Sequence, residues 1–159
     1  MKTKRLIPLI FILGYCCLLS LGCDDDKDNY LEGSLTDSYN MSFDNVKVGL
    51  FTDELSIEYL SGNKKPLKLT VKISDQGLLT DTKYDLFDDV NLTRSPDYAT
   101  SPLPNIESVE LTFSQISDQA GEQVSGKFKA LFEGHGGNTL ILRGGFSAKL
   151  QDMTIKQVL

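Results

Sequence analysis

Tryptophan is absent from this chain, histidine occurs once, and the three cysteines, Cys16, Cys17 and Cys23, all fall early in its 159 residues. Each shortage removes a class of chemistry. With no thiol after Cys23, the rest of the chain has no internal disulfide, no zinc-thiolate site and no cysteine nucleophile. The one histidine, His135, sits in Glu133-Gly134-His135-Gly136-Gly137-Asn138. Flanking glycines supply the reverse of the fixed scaffold that a Ser-His-Asp triad requires, so His135 reads as an exposed turn residue. A lone imidazole builds no usual zinc site, and this stretch is no phosphate loop because no helix follows it. Without Trp, a sugar-stacking platform would rest on Tyr and Phe. Basic residues are outnumbered 16 to 22, so phosphate backbones are repelled and no nucleic-acid partner is expected. No catalytic residue, cofactor ligand or metal ligand is assigned.

Long apolar runs are confined to the N-terminus. Met1 to Arg5 carries three basic residues, and Leu6 to Leu21 is almost entirely apolar, about 16 residues against the roughly 20 that span a membrane. This is the pattern of a secretory leader, with an uncleaved transmembrane anchor as the alternative. The run closes on Leu18-Leu19-Ser20-Leu21-Gly22-Cys23. That stretch resembles the lipobox of bacterial lipoproteins, departing from it by Ser20 at the third position before the cysteine, where Leu is usual. The resemblance implies cleavage before Cys23, a diacylglycerol on its sulfur and acylation of the new amino group. It places the chain in the bacterial cell envelope, held on a membrane by lipid on Cys23 and facing the periplasm or the cell surface. Two or three acyl chains anchor stably where one is marginal. Losing Lys2, Lys4 and Arg5 with the leader moves the formal charge from -6 to about -9.

Asp24-Asp25-Asp26-Lys27-Asp28 then has nothing to bury and reads as a solvated tether running to Glu32, about 15 to 18 Å in reach. An aspartate after the lipidated cysteine looks like an inner-membrane retention signal, and an acidic cluster there looks like a surface-export signal. The two imply opposite destinations. The organisation expected is therefore a signal peptide at 1–22, an acidic tether at 23–32 and a single β domain at 33–159.

The remainder reads as strands. Leu35, Tyr39, Met41 and Phe43 alternate with polar residues from Ser34 on, which predicts a first strand. Val46-Leu50, Leu55-Tyr59 and Leu67-Ile73 follow with short connections, the last after a longer turn at Ser61-Pro66, and the four predict an antiparallel meander. Lys83-Phe87 and Val90-Thr93 are short strands. Ser95 to Asn105 holds three prolines and reads as a crossover loop of a length that is often functional. Val109-Phe113 and Val124-Phe132 alternate again, with Gly126 and Ala130 leaving room for a close neighbour. Thr139-Leu150 completes the series across a bend or bulge at Gly144-Gly145, and Met153 and Ile155 continue in phase as a last strand.

No helix-period stretch of ten residues follows the leader. The fold class is therefore all-β, an antiparallel β-sandwich with a small β-barrel as the alternative. Gly33-Ser34-Leu35, Tyr39, Phe43-Asp44, Val46, Gly126-Lys127-Phe128, Ala130 and Gly145-Phe146-Ser147-Ala148 resemble a layout of small bacterial lipoproteins of uncharacterised function. That resemblance implies a shared envelope β-domain and no activity. Asp85, Asp88 and Asp89 form the densest acidic cluster, but their spacing is not that of a calcium loop and they read as solvated. The leading expectation is a non-catalytic binding or structural module, its partner an envelope protein or glycan. A carrier of a small apolar ligand is second and a small carboxylate-dependent hydrolase third.

Overall fold

A computed structural model describes residues 28–74, 77–85, 89–99 and 101–153. The leader, Cys23, Asp88 and Ile155 lie outside the described residues. The chain forms β1 (Tyr30–Glu32), α1 (Ser34–Ser38), β2 (Asn45–Leu50), β3 (Glu54–Ser61), β4 (Lys64–Lys72), β5 (Lys83–Asp85), β6 (Val90–Thr93), β7 (Ile106–Gln115), β8 (Gln123–Glu133) and β9 (Thr139–Asp152). The strands join in the order β5-β7-β8-β9-β2-β3-β4-β6, with β1 added beside β9. All pairings are antiparallel except the end of β9, where Leu150 to Asp152 runs parallel to Val48 to Leu50 of β2.

The domain is all-β. Its sheet is one hydrogen-bonded path from β5 to β6 that is nearly closed, and it fits the barrel alternative. Two runs of strands still oppose each other across the core, as sandwich layers do, and β9 belongs to both. The proline-containing stretch crosses from β6 in one run to β7 in the other.

Alternation sets the core. Val48, Leu55, Ile57, Leu67, Leu69, Leu111, Phe113, Val124, Phe132 and Leu142 are fully buried, each one position from a solvent-side neighbour. Two edge-to-face chains cross the interior, Phe43–Tyr59–Phe128 and Tyr84–Phe113–Phe146. Tyr59 donates its hydroxyl to the Gly145 carbonyl at 2.7 Å, tying β3 to β9 through the middle of the barrel. Burial, and secondarily the charge Tyr30 would carry, pushes the Tyr59 phenol well above its ordinary value and keeps it protonated.

The aromatic rings fit because β8 and β9 yield room. A Cβ on Gly144 would lie 2.1 Å from the Phe128 ring, and one on Gly126 would meet the Thr112 carbonyl at 2.5 Å and the Phe146 ring at 2.7 Å. No bulge forms at Gly144-Gly145, because β9 keeps one register with β8 from Thr139 to Lys149. Glycine there accommodates rings rather than a bulge.

Three local expectations are corrected. Tyr30–Glu32, assigned to the tether, is strand β1, held because Tyr30 covers Gly145 and Leu31 packs against the core. Ser34–Ser38 is a helical turn rather than a strand, since Thr36 returns both its N–H and its hydroxyl to the Gly33 carbonyl. The meander therefore has three strands, β2 to β4. The turn at Ser61-Pro66 is tighter, with Gly62 at φ +59° and strand resuming at Lys64, while Pro66 lies in the register shift opposite Tyr59 and Ser61, where its missing N–H breaks no ladder bond. The expected last strand through Met153 and Ile155 lies outside the described residues beyond Met153, whose N–H, just past the end of β9 at Asp152, donates to the Leu50 carbonyl.

Candidate functional site

One end of the barrel is built from loops. The segment after α1, the proline-containing crossover and the β8–β9 tip meet there around an open groove of about 910 Å³. Its walls are Ser38 and Tyr39, then Ser101 to Asn105, then Glu133 to Asn138 with Leu140 behind. His135 is exposed, in a tip whose Gly136 and Gly137 both take positive φ. The loop and the tip singled out separately in the sequence thus share one site.

Arg94, just past β6, braces two of these walls from behind. Its Nε donates to the Pro66 carbonyl at 3.0 Å, Nη1 to Ser101 at 2.6 Å and Nη2 to Asn40 at 2.7 Å. The guanidinium also lies 4.2 Å from the Tyr98 ring centre and 5.9 Å from that of Tyr39. Partial burial lowers its pKa, opposed by the charges Tyr98 and Tyr39 would carry, and an arginine keeps its charge at any physiological pH. The second and third walls are joined by Asn105. Its side-chain amide donates to a Glu133 carboxylate oxygen at 3.1 Å, and the Glu133 N–H donates to the Asn105 carbonyl at 2.8 Å. Ser34 accepts the Ile141 N–H at 3.0 Å, fixing α1 to β9 beneath the first wall.

Sequence reasoning missed Arg94 and Asn105. Both sit in or beside the most irregular part of the chain, where periodicity carries no signal, and their partners are up to 54 residues away. Their residue types alone say nothing of those partners.

Of the acidic cluster, Asp85 and Asp89 are described and each is engaged elsewhere. Asp85 pairs at 3.8 Å with Lys83, which also bonds Glu110 at 2.8 Å across β5 and β7, and the backbone carbonyl of Asp89 accepts from Lys72. The Lys83–Glu110 hydrogen bond raises the lysine pKa and lowers that of the glutamate on an exposed face. Among the described residues no group of three or more His, Cys, Asp or Glu could hold a metal ion, and no helix is long and apolar enough to cross a membrane. No family model matches the chain, and no curated protein or solved structure matches it.

Proposed function

We propose that this chain is a lipid-anchored lipoprotein of the bacterial cell envelope, tethered through Cys23, whose β domain is a non-catalytic binding module working through its loop-built end. The observation that carries the binding role is the groove whose three walls are cross-braced by Arg94 and by Asn105–Glu133. Loops on a rigid scaffold are where binding residues concentrate. A core filled from both walls by Tyr59, Phe113, Phe128 and Phe146 supports a surface site over an internal carrier cavity. Glu133 is the one carboxylate among the described lining residues, whereas glycoside hydrolysis uses a pair. The anchoring role rests on the lipobox resemblance at Leu18 to Cys23 and on the acidic residues after it. The domain faces the periplasm or the cell surface, and no nucleic-acid partner is expected of an acidic chain.

Intact mass of the protein extracted from native membranes tests the anchor. A mass beginning at an acylated Cys23, together with release of a folded Cys23→Ser variant from the membrane fraction, is expected. A Cys23→Ser protein that keeps its leader and stays with the membrane overturns the assignment.

A further inference from the structure

The lining of the groove combines apolar surface with uncharged hydrogen-bonding groups. Tyr39, Pro102 and Pro104 present carbon, Asn105 and Asn138 present amides, and Glu133 adds a carboxylate, while no lysine or arginine is among the described lining residues. His135 is the one basic side chain among the described lining residues, and without a lysine or arginine the groove has no permanent cation to concentrate phosphate or carboxylate ligands. An amide carries donors and an acceptor, the combination that answers a hydroxyl, which is itself both; Asn105 already gives one donor to Glu133. An apolar flank beside such groups matches a sugar ring, with its C–H face and its hydroxyl edge.

The backbone points the same way. Recognition of an extended peptide by strand addition needs a free edge of N–H and C=O groups. Here the ends of β8 and of the tip are already engaged, with the Glu133 N–H on the Asn105 carbonyl and the Gly134 N–H on the Asn138 carbonyl. The side-chain amides and hydroxyls of the lining add hydrogen-bonding groups for a ligand that is not a strand. The volume falls within the ~300–1,000 Å³ usual for ligand sites, and the groove is open, so a chain can lie through it. Arg94 and the Asn105–Glu133 pair hold the walls before any ligand arrives, which reduces the ordering cost of binding.

We infer that this groove binds a neutral oligosaccharide, with Asn138 and Glu133 contacting its hydroxyls and Arg94 acting as a positioning residue. The inference rests on the binding-module reading above and names its ligand class. The test uses the full chain, isotope-labelled and held in a zwitterionic detergent free of sugar headgroups. It is titrated to millimolar concentration with maltohexaose, cellohexaose and the N-acetylglucosamine hexamer, and separately with a neutral proline-rich peptide, while backbone amide resonances are followed. At least one sugar should give saturable shifts confined to the amides around 38–41, 101–105 and 133–138. Asn138→Ala should weaken that binding by about tenfold, the worth of one well-made hydrogen bond. Glu133→Gln should bind more weakly with the rim shifts otherwise in place, and Arg94→Ala should weaken binding more than Arg94→Lys while leaving the barrel core resonances unmoved. No saturable shift with any sugar, or shifts equal in wild type and Asn138→Ala, overturns the inference. Rim shifts with the peptide alone overturn the ligand class and leave the binding module standing, and neither result bears on anchoring through Cys23.

Discussion

Tyr59 is a polar group placed where only a satisfied one is tolerated. Its hydroxyl has a single acceptor at hand, the Gly145 carbonyl, and removing it by Tyr59→Phe should cost about 1–2 kcal/mol in denaturant unfolding. The pH dependence follows from the raised phenol pKa. Below pH ~10 the folded and unfolded chains both hold this proton and stability is unaffected by it. Above that the unfolded phenol ionises while the folded one does not, so stability falls, by up to ~1.4 kcal/mol per pH unit from this group. Wild type should therefore lose stability between pH 10 and 11 more steeply than Tyr59→Phe, and equal slopes would contradict the buried, protonated phenol. Arg94 makes a different residue-scale argument. Its fork serves three carbonyls at once, which an ammonium cannot reproduce. Arg94→Lys and Arg94→Ala should both speed amide exchange at Tyr39, Ser42 and Ser101 by about tenfold or more, with exchange in β8 unchanged.

At the scale of elements, the sequence was most informative where a strand has one wet and one dry face. β2, β3, β4, β7, β8 and β9 all appear where their alternation put them, because a one-residue slip would turn every core side chain outward. The stretch from Ser34 to Phe43 shows the limit of that signal. Met41 is buried and Tyr39 and Phe43 pack on the core, so the alternation named the inward side chains, yet no partner strand runs beside them. Period two reports which way side chains point and not whether a ladder exists. Likewise the glycines of β9 mark close approach, but whether to a kink or to a ring depends on Phe128, a residue of another strand. The groove was legible only as separate irregular stretches, since the bonds that assemble it join residues far apart in sequence. One element-scale substitution tests the ring-accommodation account. Gly144→Ala should lower stability by about 1–3 kcal/mol through collision with Phe128, and adding Phe128→Leu should recover part of the loss, read as non-additive denaturant midpoints.

The molecule as a whole is a sheet that almost meets itself. The Lys72 N–H donates to the Asp89 carbonyl, and in this register alternate residues of β6 face β4, which turns the N–H and C=O of Val90 and Leu92 away from it. Amide exchange should thus be much faster at Val90 and Leu92 than at Asn91 between them. Uniform protection along β6 would mean the barrel is fully closed. The position of β1 bears on how the molecule stands. Asn29 exchanges hydrogen bonds with Ser147, and β1 runs antiparallel to β9, so the chain comes up to the barrel from the Asp152 side, away from the loop-built end. Along β9, Ser147 is about 26 Å below Thr139 at the rim. From Cys23 to Asn29 the chain spans at most about 21 Å. If Cys23 carries the proposed lipid, the mouth of the groove is held no more than about 50 Å from the bilayer, on the side of the domain remote from the chain's point of entry, and a ligand must come within that distance of the membrane to be met.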